Sequence, residues 1–402
     1  MKRSSWLDTL AGATGERRTL TPPVRQALLK LDDELFDVWN LGDNIVLVWT
    51  RDDLEARFLA VRHYSIIEAF DATPAGPDTS GAFINGILAG SKFVSPADFD
   101  RISGVLGAVS RVFRTSFAAS RPSDALVTLL VTRYGVSLVR ERAVVLLDAV
   151  GFSLRSPLEQ VAMLNSLSYS VNSAYRQLMS KDVEINFART STGDGFYIWN
   201  RARTLDANIA LYKLMMLILT DNAVAQRKAK RFPVPRLRTA FHVGEHYEFY
   251  QVEGLNPTTF GYIVGQVTIE LSRMIERALP GQILLGDFNV EARGVGVEGV
   301  TRYDTLDFVA KTSATLDQLN GLVVAQDRIQ NIRCYLTGEA LPGGDFRVNR
   351  YQIRDKHGTT RTVYNAKINI HRHEARPIFL GIQHKELHPP GTSGPVWPDK
   401  VA

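Results

Sequence analysis

Two aspartates stand in matching contexts in the sequence and are the residues best suited to chemistry. Asp148 lies in the run V-V-L-L-D-A-V-G-F-S, and Asp194 lies in T-S-T-G-D-G-F-Y-I-W. Each ends or interrupts an apolar run and is followed by small residues, so we expect two carboxylates at the ends of adjacent buried strands. Divalent cations such as Mg²⁺ prefer oxygen ligands and usually bind through one or two carboxylates plus substrate phosphates. The pair therefore predicts a site that holds such cations against a phosphate chain.

The pattern of apolar residues around the aspartates predicts the elements that must position them. A buried strand is predicted over 142–148 and an amphipathic helix over 157–180. Further strands are predicted at 183–189, 195–200, 237–243 and 282–285. Further helices are predicted at 205–222, between the second and third of these strands, and at 259–279, before the last. This order is that of a ferredoxin-like βαββαβ unit with a further helix, and the Asp194 turn falls between its two middle strands.

Several short motifs in this region together resemble the catalytic domain of the class III nucleotidyl cyclases, the adenylyl/guanylyl cyclase superfamily. D-A-V-G-F-S, which begins at Asp148, is similar to that family's first metal strand and the phosphate-cradling turn after it. S-T-G-D-G-F-Y, which contains Asp194, is similar to its metal-binding hairpin. F-H-V-G at 241–244 and P-G-Q-I-L-L at 280–285 are similar to two later strands. The resemblance covers residues 144–288 and implies the α+β fold of that family.

The resemblance also implies roles for individual residues. Asp148 and Asp194 are expected to bind two divalent cations, Mg²⁺ or Mn²⁺, with Ala149 as a further metal contact. Arg273, eight residues after Gly265, lies where the family's transition-state arginine lies on its helix. The phosphate chain is expected on the turn formed by Val150, Gly151 and Phe152. The resemblance implies that the aspartates of one subunit work with Arg273 of the other, so we expect a homodimer with composite active sites.

These residue types suit the cyclisation of a nucleoside triphosphate to a 3′,5′-cyclic nucleotide and pyrophosphate. The ribose 3′-oxygen attacks the α-phosphorus; one metal ion would lower the pKa of the 3′-hydroxyl, and a second would neutralise the β- and γ-phosphates. Phosphoryl transfer needs little covalent work from the protein, so positioning and charge stabilisation dominate. Backbone N–H groups freed by Gly151 can contact phosphate oxygens. Arg273 can donate several hydrogen bonds to the crowded phosphorus centre in a geometry that lysine lacks.

The residues expected at the base depart from the pattern of the purine cyclases. Thr190, with Arg189 beside it, stands where adenylyl forms carry lysine. Tyr262 stands where those forms usually carry aspartate. A tyrosine and a threonine suit a smaller pyrimidine ring, which they can read by stacking and one hydrogen bond. Such a pocket is similar to that of the bacterial pyrimidine cyclases of antiphage defence, which make cyclic UMP or cyclic CMP.

The ribose position leaves the outcome of nucleotide binding open. Ile269 replaces the asparagine that usually supports the ribose, and isoleucine cannot form a hydrogen bond. Gln266 or Thr268 would supply one if the helix register differed. The resemblance therefore implies a cyclase for a non-standard base, an adenylyl or guanylyl cyclase with atypical base recognition, or a catalytically silent nucleotide-sensing or scaffolding domain.

Each candidate residue also has an ordinary structural interpretation. An aspartate after an apolar run often ends a strand or caps a helix. Arg273 can pair with Glu270 or Glu276 on a solvated helix face. The glycines beside the aspartates are compatible with ordinary turns. The joint context of the two aspartates favours the metal site over these interpretations.

Composition narrows the class of protein. The chain has 402 residues, of which 45% are hydrophobic and 22% charged, as in a globular protein. A net charge of +5 is mild, and no basic stripe with interleaved aromatics indicates nucleic-acid binding. Cys334 is the single cysteine, which excludes an internal disulfide framework and suits a reducing cytoplasm. No apolar run reaches the roughly 18 residues that a membrane span needs, so we expect a cytoplasmic protein.

The chain is expected to contain four segments. Residues 1–22 read as a flexible tail, 23–138 as a mostly helical region, 139–325 as the cyclase-like catalytic domain and 326–402 as a β-rich C-terminal extension. Helices are predicted in the second segment at 24–41, 96–117 and 123–134. In the last segment, alternating apolar and polar residues predict a β-hairpin of 346–353 and 362–370 around a turn at 355–358.

Three further motifs are weaker signals. His242 and His246 spell H-x-x-E-H, but a zinc site of this type needs a helix, and a strand is predicted there. The G-x-G-x-x-G match at 294–299 lacks a following helix. His371 and His373 lie on one side of a predicted strand end, where a metal site is an alternative to an exposed strand end.

Overall fold

The computed structural model describes residues 7, 20–52, 55–67, 80–117, 120–183, 185–229, 233–253, 256–293, 300–339, 341–342, 347–355, 358–387 and 400–401. The chain divides into two compact units. The first unit consists of Met1–Val139 and His246–Val264, and the second unit consists of Arg140–Glu245 and Gly265–Ala402. The predicted G-x-G-x-x-G motif and the predicted 1–22 tail lie largely or wholly outside the described residues.

The strands of both units are numbered in chain order. They are β1 (Asn44–Arg51), β2 (Glu55–Arg62), β3 (Ser110–Ser116), β4 (Val136–Ala149), β5 (Phe187–Ser191), β6 (Gly195–Asn200), β7 (Leu237–Glu253), β8 (Asn256–Val264), β9 (Ile283–Gly286), β10 (Asn289–Arg293), β11 (Val300–Asp304), β12 (Val323–Val324), β13 (Asp327–Leu336), β14 (Arg350–Arg354), β15 (Thr360–Arg372), β16 (Ile378–Leu380) and β17 (Lys400–Val401).

The α-helices are numbered in the same way. They are α1 (Pro22–Trp39), α2 (Ser80–Ala89), α3 (Pro96–Leu106), α4 (Asp124–Thr132), α5 (Pro157–Met179), α6 (Leu205–Lys228), α7 (Gln266–Arg277), α8 (Thr305–Ser313) and α9 (His384–Leu387). Together with the strands, these helices confirm the predicted α+β class. Among the described residues, no helix has both the length and the apolar composition needed to cross a membrane.

The first unit is built on a three-stranded antiparallel sheet in the order β1-β2-β3. Strand β1 is buried along almost its whole length and contributes to two apolar clusters. Val46 and Trp49 pack with residues of α1 and α4. Leu47 packs with residues of α2 and α3. The sheet is therefore covered by helices on both faces of β1.

The region predicted to be mostly helical over 23–138 also contains this sheet. The helix predicted over 96–117 ends at Leu106, Gly107 follows with φ +51°, and the chain continues as β3. A strand that is buried on both faces has a continuous apolar sequence, and periodicity alone does not distinguish it from a buried helix. The sequence of β1, N-I-V-L-V-W-T-R, is of this kind.

The second unit contains most of a large mixed sheet, whose strands follow the order β12-β13-β15-β9-β7-β4-β6-β5. Strand β4 pairs antiparallel with β6, and β6 pairs antiparallel with β5, whereas β7 and β9 run parallel. In chain order, α5 connects β4 to β5, and α6 connects β6 to β7. The four strands β7-β4-β6-β5 are thus neighbours in the sheet, and helices α5 and α6 are the connections between them along the chain.

Helices α5 and α6 cover this sheet through one apolar core. Val171 of α5 and Met215 of α6 are fully buried with Leu147 of β4 and Phe241 of β7. Helix α6 is buried on almost every side from Ala207 to Thr220, which is why its apolar residues are not confined to one stripe. Burial of such side chains contributes about 1.5–3 kcal/mol each.

The strands of the predicted β-rich C-terminal extension belong to the same sheet. Strand β15 pairs with β9, which places Tyr364 opposite Leu285, and it also pairs with β13. Strand β14 pairs with β15 and forms a hairpin with it. The boundary predicted between 325 and 326 therefore does not separate two compact units. Pairing with β15 covers an edge of β9 that would otherwise expose unpaired backbone groups.

The helix predicted over 259–279 is shorter than expected. It begins at Gln266, and the preceding Asn256–Val264 is strand β8, which pairs with β7. Gly265 separates them with φ +139°, a conformation that other residues rarely adopt. The aromatic and β-branched residues before Gly265 favour a strand. Tyr262 therefore lies on a strand of the first unit.

Candidate active site

Strands β4 and β6 bring the two predicted metal aspartates together. Asp148, near the end of β4, is opposite Gly195, the first residue of β6. The Ala149 N–H donates to the Asp194 carbonyl at 3.0 Å, which fixes the hairpin turn beside the end of β4. Asp148 is buried, with 7% of its surface exposed, and Asp194 is half-buried. The spatial pairing expected from their sequence contexts is therefore present.

Two glycines allow this close approach. Gly193 adopts φ +99° in the turn, where its N–H donates to the Ser191 hydroxyl. At Gly195 a Cβ atom would lie 1.8 Å from the carbonyl oxygen of Leu147 and 3.1 Å from the Cα of Asp148. Because backbone atoms cannot yield as a flexible side chain can, only glycine allows β6 to approach β4 at this point.

The charge of Asp148 is set by opposing neighbours. Burial raises the pKa of Asp148 above its ordinary value, and the Asp194 carboxylate raises that pKa further. Hydrogen bonds and charge from Arg238 lower it. A bound cation would relieve the repulsion that Asp194 exerts on the ionised form of Asp148.

Arg238 is the site residue that the sequence reasoning missed. Its Nε and Nη2 atoms donate to Asp148 Oδ2 at 2.8 and 2.5 Å. Both bonds reach one carboxylate oxygen, so Oδ1 takes no part in this ion pair. The available signal was a basic residue inside the predicted strand 237–243, an unusual place for a charge unless it has a partner. Only the adjacency of β7 and β4 identifies Asp148 as that partner.

The donor set suits a divalent cation that also binds phosphate. Asp148 and Asp194 supply carboxylate oxygens from two strands, and Asp194 Oδ1 accepts a hydrogen bond from the Thr192 hydroxyl at 3.2 Å. Within the described ranges, no cluster of three or more histidine, cysteine or acidic side chains could complete an all-protein cage. Mg²⁺ is commonly held by one or two carboxylates with substrate phosphates as the remaining ligands. The two aspartates therefore fit the role, in competition with Arg238.

The turn after β4 differs from the expectation in one respect. Gly151 adopts φ +67°, which favours glycine, and a short 3₁₀ helix follows at Phe152–Leu154. The Val150 N–H donates to the carbonyl of Arg236 at 2.9 Å. The expectation that the Val150 N–H binds phosphate is therefore corrected, because this N–H already has an acceptor. Gly151 and Phe152 remain the candidates.

Arg273 lies on α7 and is engaged by carboxylates. Its Nη1 is 2.9 Å from Glu276 Oε1, and its Nε is 3.7 Å from Asp355 Oδ2. Glu270, the other partner considered from sequence, pairs with Arg361 instead. Among the contacts of the described residues, none joins Arg273 to Asp148 or Asp194. Arg273 is thus not part of the same cluster within one chain.

The residues predicted to read the base fall into both units. Thr190 on β5 is opposite Tyr197 on β6. The Arg189 side chain is exposed, with its guanidinium carbon 5.1 Å from the ring centroid of Phe196. Tyr262 on β8 stacks on Phe249, with ring centroids 5.9 Å apart, and 38% of its surface is exposed.

Tyr197 and Thr268 connect the hairpin to α7. The Tyr197 hydroxyl donates to the Thr268 carbonyl at 3.2 Å. Thr268 Oγ1 donates to the Gly265 carbonyl at 2.8 Å, and Gln266 Nε2 donates to Glu270 at 2.7 Å. Both polar side chains considered as substitutes for the ribose asparagine are therefore engaged locally. Ile269 itself is 47% exposed.

No protein-family profile and no curated protein matches the chain. Solved structures that are similar to it include the adenylyl cyclase CyaB from P. aeruginosa, at 14% identity over 60% of this chain and 97% of that one, with a TM-score of 0.34. The guanylate cyclase domain of RhGC from Catenaria anguillulae in complex with GTP has 11% identity over 59% and 100%, with a TM-score of 0.35. A bacterial light-regulated adenylyl cyclase has 15% identity over 44% and 99%, with a TM-score of 0.28. Scores and identities at this level do not establish a shared fold or family.

Proposed function

We propose that the protein is a metal-dependent nucleotidyl cyclase, which converts a nucleoside triphosphate to a 3′,5′-cyclic nucleotide and pyrophosphate. The observation that carries the proposal is the pair of a buried Asp148 and a half-buried Asp194, held at the end of β4 and in the turn before β6, beside the Gly151 turn. The strand order β7-β4-β6-β5, with α5 and α6 as connections, supports the interpretation of this region as a ferredoxin-like βαββαβ core of the class III cyclase type.

In this proposal Asp148 and Asp194 hold two divalent cations, Mg²⁺ or Mn²⁺, together with the triphosphate, and Ala149 provides a further contact. The cations would supply charge neutralisation of the phosphates and a lowered pKa at the ribose 3′-hydroxyl. The backbone N–H groups of Gly151 and Phe152 would also bind the phosphate chain, because N–H groups in a tight turn bind phosphate oxygens well.

Arg273 is proposed to stabilise the transition state in the active site of a second copy. Within one chain Arg273 contacts Glu276 and Asp355 and not the aspartate pair. A homodimer with composite active sites would bring the two sets of residues together. Exposed apolar side chains near the phosphate turn support an interface there, since Leu154, Leu158 and Val161 are 88%, 80% and 55% exposed.

The base is proposed to be non-standard and of pyrimidine type, which would give cyclic UMP or cyclic CMP and a role in antiphage signalling. Thr190 and Arg189 are the proposed base-reading residues of the second unit, with Tyr197, which lies opposite Thr190. Tyr262, the third residue predicted to read the base, belongs to the first unit. Two alternatives follow from the same positions. One is an adenylyl or guanylyl cyclase with atypical base recognition. The other is a catalytically silent nucleotide-sensing or scaffolding domain, which the exposed Ile269 at the ribose position favours.

The test is incubation of the purified protein with ATP, GTP, CTP and UTP separately, in Mg²⁺ and in Mn²⁺, with products identified by mass. We expect one cyclic pyrimidine nucleotide, and we expect Asp148→Asn and Asp194→Asn to abolish it while leaving the oligomeric state unchanged. A cyclic purine would support the first alternative. Nucleotide binding without any product would support the silent domain. An undiminished rate of product formation in Asp148→Asn or Asp194→Asn would contradict the assignment of these aspartates as metal ligands.

A further inference from the structure

We propose that Asp355, at the turn of the β14–β15 hairpin, is a positioning residue that orients Arg273 for catalysis. The inference rests on the proposed function, and it gives the C-terminal segment a part in the active site. It comes from a group of charged side chains that connects this hairpin to α7. The members of this group are Glu270, Arg273, Glu276, Asp355 and Arg361.

The Asp355 carboxylate is held in place by hydrogen bonds within its own turn, independently of its contacts with arginines. Its side chain is 2% exposed, and the residue follows β14 directly. Its N–H donates to the Thr359 carbonyl at 3.0 Å, and its Oδ1 accepts from the Thr359 N–H at 3.0 Å. The Gly358 N–H donates to the Asp355 carbonyl at 3.1 Å. The turn therefore determines where Oδ2 points.

Oδ2 of Asp355 lies between two arginines. It is 3.7 Å from Arg273 Nε and 3.4 Å from Arg361 Nη2. Arg361 also pairs with Glu270, whose Oε1 accepts from Gln266 Nε2. Arg361 is thereby anchored to α7 through a second carboxylate, so that the hairpin and the helix are joined at two points around Arg273.

The two carboxylates on Arg273 differ in their environment. Asp355 is buried, whereas the side chain of Glu276 is 36% exposed and lies one helical turn away on α7. An exposed pair at this spacing contributes little because water screens it. A buried carboxylate is held strictly in place and orients the charge opposite it. Asp355 is therefore the partner whose charge acts on the guanidinium with the least screening by water.

The contacts of Arg273 leave the Nη2 group of its guanidinium available to a substrate. Asp355 Oδ2 forms an ion pair with Nε at 3.7 Å, Glu276 accepts a hydrogen bond from Nη1 at 2.9 Å, and the hydrogen bonds of the described residues include none from Nη2. A transition-state arginine needs an oriented donor at its tip, and misplacement of such a group by about 1 Å can cost on the order of 100-fold in rate. Holding Nε supplies that orientation without occupying Nη2.

The experiment compares Asp355→Asn with Glu276→Gln in the full-length protein. Asparagine retains an Oδ1 that can accept from Thr359, so the turn is kept while the charge is removed. We expect kcat to fall about 10- to 100-fold in Asp355→Asn with KM for the triphosphate nearly unchanged, because orientation is lost at the transition state. Asp355→Glu should restore part of kcat. Glu276→Gln should stay within about threefold of wild type.

A second measurement needs neither turnover nor a folded Asp355 variant. In protein labelled with ¹⁵N-arginine, the Nε–Hε signal of Arg273, identified by its loss in Arg273→Lys, should exchange slowly with water in the wild type. Fast exchange in the wild type, or an unchanged kcat in a folded Asp355→Asn, would overturn the inference. If the wild type makes no cyclic nucleotide, the proposed function fails, and the exchange rate alone decides whether Asp355 holds Arg273.

Discussion

Asp148 lies between two opposing influences, and this balance determines what the site can bind. Burial and the Asp194 carboxylate raise its pKa, whereas Arg238 donates two hydrogen bonds to Oδ2 and lowers it. A guanidinium and a divalent cation would bind the same carboxylate, so they would compete. The sequence identified both aspartates from their contexts, but it contained no indication that an arginine from a third strand would reach the first of them.

Replacing Arg238 by glutamine should strengthen metal binding in the absence of nucleotide. The change removes a cation that occupies Oδ2 and repels a second positive charge, so we expect the dissociation constant for Mn²⁺ to fall several-fold. Paramagnetic resonance of free Mn²⁺ measures this directly. Arg238→Lys, which keeps the charge, is the matched control. Unchanged or weaker Mn²⁺ binding in Arg238→Gln would contradict the competition.

His242 makes the second unit sensitive to acid. Burial lowers the pKa of His242 to about 4, with a smaller contribution from the charge of Arg361, and its Nδ1 is a buried atom without a hydrogen-bond partner in the described part of the chain. Because the folded pKa lies below the unfolded value of about 6.5, the unfolded state takes up the proton first as the pH falls. Stability is therefore lost between about pH 6.5 and pH 4.

Replacing His242 by phenylalanine should remove this part of the acid sensitivity. In the wild type, protonation of His242 is expected to lower the free energy of unfolding by about 2 kcal/mol between pH 7 and pH 5. Urea titrations at the two pH values measure the difference, and the variant should show a smaller one by that amount. An equal pH dependence in both proteins would show that His242 titrates normally in the folded state.

Among the elements, the contact between β4 and β6 decides the geometry of the carboxylate pair. The two strands approach at Gly195, where a Cβ would meet the Leu147 carbonyl oxygen at 1.8 Å. The sequence placed β6 at the correct residues and found the turn before it. It did not determine the close approach, which depends on the partner strand and not on the local pattern.

Gly195→Ala should therefore disrupt both stability and activity. We expect a loss of about 2 kcal/mol or more in the free energy of unfolding, because β6 must move away from β4, and product formation should fall with it. Gly104→Ala in α3 is the control, since a Cβ there meets no atom within 4 Å. That change should be neutral or stabilise by up to about 1 kcal/mol. Calorimetry and the product assay give both results, and a Gly195→Ala protein of wild-type stability would refute the argument.

Over the whole molecule, the separation of Arg273 from the aspartate pair decides whether one chain can form a complete active site. One chain supplies both sets of residues, but Arg273 contacts Glu276 and Asp355. If the sites are composite, two variants that are inactive for different reasons should complement each other. A mixture of Asp194→Asn and Arg273→Ala should recover about a quarter of wild-type activity, because half of the dimers are mixed and each holds one intact site.

The control for complementation is a mixture of Asp148→Asn and Asp194→Asn, in which both defects lie in the metal site. A mixed dimer of these two has no intact site, so the mixture should remain inactive. Subunits must be exchanged by co-expression or by mild dissociation before the assay. Failure of the first mixture to recover activity, with mixed dimers demonstrated by mass, would place the complete site within one chain.

The sequence by itself determined the α+β class, most elements of the second unit and the two aspartates. Local patterns carry this information, since strand ends, turn glycines and helix starts are short-range features. The tertiary structure alone decided that Arg238 reaches Asp148, that Val150 is not free to donate, that Asn44–Arg51 and Glu55–Arg62 are strands and that β15 pairs with β9. Each of these depends on which strands become neighbours, and hydrogen bonds and ion pairs between residues far apart in the chain leave no periodic signal in the sequence.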